Sequence, residues 1–336
     1  MTYTAGSQIV ATDYNGFAQN TSGANVNDIW GAGSGDKGYG QPTTLSTVST
    51  SATVTATQWS DLNNRISSLA NQTNTSITSR SNPSVGNIIA VLANVNIDLT
   101  NCTNNRGNAV ASGTTSSTWT GNTAKTSATG SGQTTWTITW TQTVTFADAD
   151  SARYFWNAGG LVRLDMSKTA NATDADGDWN TLVGQVGTIY ISGRVNSTAQ
   201  TISGTSYTGT TRIGGTGGTQ TTLTTTTGWY SLTPGAAATT LFQLNNATSP
   251  YTGEYIRTTG AVNGGSTTLT LVTTWFQPAV SGAGTTCNIS GGTDTTSPST
   301  TIAGTAPTTL CTYLPPATTY LSTASWGTPT IAASVA

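Results

Sequence analysis

The chain has 336 residues, only 7% of them charged, and a formal net charge of −2 at pH 7. Soluble domains carry about 25% charged residues, so hydroxyl and amide side chains must keep this chain in solution. Its 11 basic residues are scattered and it has no histidine, which excludes a nucleic-acid surface and any catalytic triad with an imidazole base. No apolar run approaches the roughly 20 residues of a membrane span, so no membrane insertion is expected.

Residues 1–105 are predicted to form a small helical module for docking or oligomerisation. A helix is expected to start near Thr12, and residues 26–30 continue it or form a second one that stops at Gly31. A glycine-rich loop follows at residues 31–42 and is interpreted as a hinge or packing loop.

The strongest helical pattern runs from about residue 56 to residue 79. Thr55 and Gln58 have the spacing of a capping box. Apolar or small residues then recur every three or four positions, at Trp59, Leu62, Ile66, Leu69, Thr73 and Ile77. A third helix is predicted over residues 85–99, with a strand as the alternative. The apolar faces of these predicted helices are narrow, which suits packing against another subunit or against the rest of the chain.

An antiparallel β-sandwich is predicted for residues 106–280, because large apolar side chains alternate with polar ones along this part of the sequence. The clearest strand is residues 134–146. One register is apolar apart from Gln142 and contains Trp136, Ile138, Trp140, Val144 and Phe146; the other register is threonine at every position. We expect the first register to face a core and the threonine register to be covered by a neighbouring copy.

The remaining predicted strands lie near residues 116–122, 152–166, 183–195, 199–213, 220–232, 239–246, 252–263 and 266–276. Within 152–166 we expect a hairpin with a turn at Asn157–Gly160. A short helix is predicted over residues 178–183. Residues 281–336 form a Gly/Thr/Pro-rich segment with short strands at 308–314 and 318–322. The expected fold class is therefore mainly β, with a small helical N-terminal module.

No motif predicts catalysis, a cofactor or a metal. Asp174, Asp176 and Asp178 alternate as calcium-loop carboxylates do, but Gly177 and Gln185 stand at the wrong positions for an EF-hand, so a solvated loop is the favoured interpretation. The three cysteines are Cys102, Cys287 and Cys311; the last two either pair or remain thiols. Trp229 and Tyr230 beside a glycine form the candidate for an exposed sugar contact.

Three stretches together resemble a known class of protein. They are IVATDYNGF with DIWGAGSGDKGYGQ near the start, ADADSARYFWNAGGLVRLDMS at 147–167, and SPYTGEYIRTTGAVNGGSTTLTLVTTWF at 249–276. They are similar to virion structural proteins of tailed bacteriophages, especially those of cyanobacteria and marine bacteria. The resemblance implies a homo-oligomeric, non-enzymatic component of the tail, neck or fibre, whose partners are its own copies and other phage structural proteins.

The resemblance also implies a location in the virion. The protein would be assembled into the particle in the host cytoplasm and exposed on the released particle. The N-terminal sequence agrees with this expectation, because it lacks the basic region and apolar core of a secretion signal. A fibre or baseplate accessory protein is preferred. The alternatives are a capsid decoration or neck-fibre protein, an adhesin that binds host-surface glycans, and a depolymerase with an aspartate pair.

Overall fold

The computed structural model describes residues 10–19, 24–84, 92–109, 120–124, 129–130, 136–169, 174–193, 199–217, 221–247, 252–278 and 306–336. Within these ranges the chain forms six α-helices, a 3₁₀ helix at Trp229–Ser231 and fourteen strands, and four of the α-helices precede the first strand. The pairings between named strands are antiparallel. The predicted fold class, mainly β and sandwich-like after a helical N-terminal part, is confirmed.

The N-terminal helices are α1 (Ala11–Gln19), α2 (Val26–Trp30), α3 (Ala56–Gln72) and α4 (Leu92–Asn104). Their common core is aromatic. Tyr14 and Phe17 of α1 pack on Trp59 of α3, with ring centroids 6.4 and 6.3 Å apart. Leu62, Ile66 and Leu69, the predicted seam of α3, are buried beside them. The apolar periodicity of the sequence thus places four short helices around one small core.

Helix α3 begins as predicted and ends earlier. The Thr55 hydroxyl accepts a hydrogen bond from the Gln58 amide at 3.2 Å, and the Gln58 side chain accepts one from the Thr55 amide at 2.9 Å. The predicted end at residue 79 is wrong. Thr73 caps the helix, and Asn74 adopts a left-handed φ of 50°, so Ile77 lies on an extended segment. Helix α4 ends later than predicted; residues 85–91 lie outside the described ranges.

The strands are β1 (Thr120–Ala124), β2 (Thr129–Gly130), β3 (Trp136–Thr145), β4 (Leu161–Ser167), β5 (Thr188–Ile191), β6 (Gln200–Ile202), β7 (Thr205–Tyr207), β8 (Thr210–Ile213), β9 (Thr221–Leu223), β10 (Thr239–Asn245), β11 (Tyr255–Val262), β12 (Thr268–Gln277), β13 (Thr308–Leu314) and β14 (Thr330–Val335). A five-stranded sheet has the order β1-β13-β4-β5-β8, and a seven-stranded sheet the order β14-β3-β12-β11-β10-β9, with β2 beside β3. We call them the small and the large sheet; β6 and β7 form a separate ribbon.

The large sheet buries the apolar register of β3. Ile138, Trp140 and Val144 are fully buried, and the Trp140 ring lies 5.2 Å from that of Trp275 on β12. Helix α6 (Asp174–Val186) adds Trp179, which stacks on Trp275 at 5.3 Å. Three indole rings in succession therefore fill one end of the core, where their large apolar areas contribute most to stability.

The predicted hairpin over residues 152–166 is wrong in its first half, which is helix α5 (Ala149–Asn157). Asp148 is the N-cap of this helix, and its carboxylate accepts a hydrogen bond from the Ser151 amide at 2.6 Å. That bond lowers the pKa of Asp148 below its ordinary value. The helix turns Phe155 and Trp156 into the core. The capping aspartate was the signal for a helix in this stretch.

Other boundaries also differ from the sequence prediction. The short helix expected at 178–183 is α6, which starts at Asp174. The C-terminal segment supplies one strand to each sheet: β13 pairs with β4, and β14 pairs with β3. The strand predicted at 318–322 is wrong, because these residues form bends, and β14 was not predicted. Strand β14 consists of small residues around Ile331, so its sequence signal is faint.

Candidate functional site

The threonine register of β3 belongs to a continuous outer face of the large sheet. Across the ladder, Thr143 stands opposite Thr270 of β12, and Ser334 of β14 stands opposite Thr141. We call this surface the threonine face; its central residues are Thr137, Thr139, Thr141, Thr143, Thr145, Thr268, Thr270 and Thr274. These side chains are half-buried, apart from the exposed Thr145. The same face also carries Val272 and Phe276 of β12, opposite Thr141 and Thr137. It therefore presents hydroxyl and methyl groups in rows two residues apart, together with these two apolar side chains.

The threonine face carries almost no charge. Among the residues that form the strands of the large sheet, Arg257 of β11 is the only charged one. Its guanidinium lies 5.1 Å from the centroid of the Tyr255 ring. Charged side chains spread over a protein surface normally keep it soluble and discourage association. This face lacks that protection over β3, β12 and β14.

The residues predicted for assembly and core lie inside the molecule. Trp59, Leu62, Ile66 and Leu69 are buried in the helical module, whereas Ile138, Trp140, Val144 and Phe146 are buried in the β part. The side chain of Trp136 lies outside the described part of the chain. These positions stabilise the fold, and a surface for assembly must be sought among other residues.

Loop 31–42 packs against α5 through a set of hydrogen bonds that we call the loop clamp, formed by Arg153, Asn157 and Tyr230. Arg153 Nη1 donates to the carbonyl oxygens of Ala32 at 2.6 Å and Lys37 at 3.0 Å. Asn157 Nδ2 donates to Lys37 at 2.7 Å and to the next carbonyl at 2.9 Å. The clamp binds the loop backbone to α5, which favours the packing-loop interpretation of residues 31–42 over the hinge.

The clamp also determines the environment of Trp229 and Tyr230. The Tyr230 hydroxyl donates to Asn157 Oδ1, and burial raises its pKa above the ordinary value. Trp229 is 6% exposed and stacks on Trp156, with centroids 5.4 Å apart. The two residues border a depression of about 300 Å³. The expectation of an exposed sugar platform is corrected, because the Trp229 ring is buried against Trp156 in the core and is not open to a ligand.

The candidate cation loop is helical from Asp174 onward. Positions two residues apart on a helix lie on opposite sides of its axis, so the backbone does not bring positions 174, 176 and 178 together as an extended loop would. Within the described ranges, no group of three or more acidic or sulfur ligands could hold a metal ion. The side chains of Asp174 and Asp176 are outside those ranges.

The single glutamate of the chain is Glu254, and the sequence analysis assigned it no role in a site or in the core. It lies just before β11 and is fully buried. Its Oε2 accepts a hydrogen bond from Asn246 Nδ2 at 2.9 Å, and its Oε1 has no hydrogen-bond partner. Loss of hydration raises the pKa of this carboxyl group to about 8; the Asn246 bond opposes the shift and the charge of Asp178 adds to it. Solvent cannot reach it, so we treat Glu254 as a structural group.

Two of the three cysteines are described, and both are buried thiols. Burial raises the pKa of Cys102 to about 11 and that of Cys311 to about 12. Such thiols are unreactive at neutral pH, since the thiolate is the nucleophile. Cys287, which would be the partner of Cys311 in the disulfide alternative, lies outside the described ranges.

Comparison with known protein families, curated protein sequences and solved structures gave no significant match. Among the helices that the structure describes, none has the length and apolar character needed to cross a bilayer.

Proposed function

We propose that this chain is a non-enzymatic structural protein of a tailed-phage particle, built into the tail or neck region as a homo-oligomeric fibre or baseplate accessory subunit. The observation that supports this most is the threonine face. Soluble domains carry about 25% charged residues, whereas this chain has 7%, and its large sheet has one charged strand residue. Because a surface with so little charge costs little to desolvate, it is suited to forming an interface with another protein chain.

The chemistry of the face favours a second copy of the same chain. Each threonine hydroxyl can both donate and accept a hydrogen bond, so two such rows can pair with each other. Their methyl groups add apolar area. Burying the face leaves Arg257 as the only strand charge to be compensated, which avoids the main desolvation penalty of an interface.

The helical module would attach the subunit to neighbouring phage proteins. The loop clamp holds this module against the β part, since Arg153 and Asn157 of α5 bind the backbone of loop 31–42. The clamp joins two of the segments that resemble phage virion proteins. A capsid decoration or neck-fibre protein is the alternative position, and either would use the same face and the same module.

The face is tested by placing charge on it. We expect the wild-type protein to sediment as an oligomer and the double variant Thr141→Lys, Thr274→Lys to sediment as a monomer with an unchanged circular dichroism spectrum. Thr233→Lys, at an exposed loop position, is the matched control and should remain oligomeric. A wild type that is monomeric at the highest soluble concentration would refute assembly through this face.

The place in a virion needs a separate test. Antibody raised against the folded protein should label purified particles of a phage that encodes the chain, and mass spectrometry should detect the chain in them. Purified particles without the chain would overturn the phage assignment and leave the chemistry of the face intact.

A further inference from the structure

A groove runs between α3 and the extended segment that follows it. Its volume is about 710 Å³, within the range of small-molecule sites. Its walls include Asn63, Asn64, Ser67, Asn71, Asn74 and Tyr320. A second depression of about 560 Å³ adjoins it and shares Asn64 and Tyr320. The two together form an elongated cleft with Tyr320 between its halves.

The lining of the groove is polar and almost uncharged. Apart from Ala70, Ile77 and the ring of Tyr320, it consists of amide and hydroxyl side chains and one arginine. That arginine, Arg80, is buried and paired with Asp98, so its charge is already neutralised. Phosphate and carboxylate ligands need an available cation, and apolar peptides need apolar pockets. The groove offers neither, which favours an uncharged polar ligand there. The adjoining depression adds one arginine, Arg65, whose guanidinium lies 3.8 Å from the centroid of the Trp30 ring, and the exposed Asp61.

Exposed amide side chains of α3 line the groove. Asn63 lies beside them, but its Oδ1 is closed off from solvent and therefore from a ligand. The neighbouring amides of Asn64 and Asn71 can each donate and accept, the pattern that matches adjacent hydroxyl groups.

Tyr320 supplies an aromatic surface at the same place. It is 37% exposed, the one aromatic residue among the described large side chains that stand out to solvent. Its loop is held by Gln41, whose Oε1 accepts from the amides of Ser322 at 2.8 Å and Thr323 at 2.9 Å. The backbone that follows the ring is therefore anchored, and a flat ring beside amides fits the C–H face of a sugar.

We propose that this groove binds a neutral oligosaccharide, with Tyr320 stacking on one sugar ring and Asn64 and Asn71 binding its hydroxyl groups. The inference rests on the groove and is independent of any place in a virion. It places a sugar contact where α3 meets the C-terminal loop, far along the chain from Trp229 and Tyr230.

The test uses the full chain and an array of neutral oligosaccharides of two to four sugars, built from glucose, galactose, mannose, rhamnose and N-acetylglucosamine. At least one should bind, and titration calorimetry with it should show affinity about tenfold weaker in Tyr320→Ala and in Asn64→Ala, as loss of about 1.4 kcal/mol predicts. Asn180→Ala, an exposed asparagine on α6, is the control and should bind as wild type.

Each other result counts against the proposal. If no sugar on the array binds, or if binding survives in both groove variants, the assignment is overturned. Binding only to sulfated or phosphorylated glycans would also overturn it, because the groove would then have to supply a cation. Both substituted side chains are exposed, so thermal melting should show that the variants remain folded.

Discussion

Glu254 makes the stability of this protein depend on pH in an unusual direction. Its pKa rises from 4.5 to about 8 in the folded state, so folding favours the protonated form. A group of this kind stabilises the fold fully below its ordinary pKa and loses that contribution as the pH rises through its folded pKa. We therefore expect the free energy of unfolding to fall between pH 5 and pH 9.

The size of the effect follows from the two pKa values. The difference between 4.5 and about 8 corresponds to about 5 kcal/mol. Local opening that exposes the carboxyl group limits the loss, so about 5 kcal/mol is a ceiling. The chain has no histidine, and histidine is the side chain that ordinarily titrates in this range. The slope between pH 5 and pH 7 can therefore be assigned to one residue. Above about pH 8 the buried thiols of Cys102 and Cys311, whose pKa values are also raised, add to the loss of stability.

The assay is urea denaturation followed by tryptophan fluorescence at pH 5, 7 and 9, with Glu254→Gln as the variant. The amide mimics the neutral carboxyl group, so the variant should match wild type at pH 5 to within about 1 kcal/mol and exceed it at pH 9. Asp61→Asn, an acid-to-amide change at an exposed position, should keep the wild-type slope. Equal slopes in wild type and Glu254→Gln would refute the reasoning.

Four further substitutions, one of them a control, test the clamp and the helix next to it. Gly40 has a φ of 67°, and an added Cβ would lie 2.4 Å from the Tyr154 ring. Gly40→Ala should therefore lower the free energy of unfolding, measured by denaturation, by about 2–4 kcal/mol. The control Gly35→Ala, where an added Cβ has no neighbour within 4 Å, should lower it by about 1 kcal/mol. Asn157→Ala should cost about 2–3 kcal/mol and speed amide exchange in loop 31–42; unchanged exchange would contradict the clamp. Asp148→Ala should cost about 1 kcal/mol, read as a lower melting temperature, and no change would remove its capping role.

Local patterns predicted those features that depend on neighbours in sequence. The alternation in β3 identified the buried register, and Thr55 with Gln58 marked the start of α3, because both signals arise within a few residues. Helix α5 was missed although Asp148 carried the cap signal, since its large aromatic residues also favour strands. Tertiary burial of Phe155 and Trp156 supports the helix here.

Contacts between distant segments could not be predicted in the same way. Gln41 fixes the loop of Tyr320 from 281 and 282 residues away, and Asn157 reaches loop 31–42 across 119 and 120 residues. Neither pairing has a local signature in the sequence. The groove exists only because α3, its following segment and the C-terminal loop converge.

The amino-acid sequence by itself determined that the chain is mainly β, poor in charge and rich in threonine, since composition and alternation are properties of the chain. Only the tertiary structure decided that Trp229 is buried, that Glu254 lacks hydration and that exposed amides of α3 lie beside an exposed tyrosine. Burial, hydration and the meeting of distant segments are properties of packing, and they determine which polar groups remain available for binding.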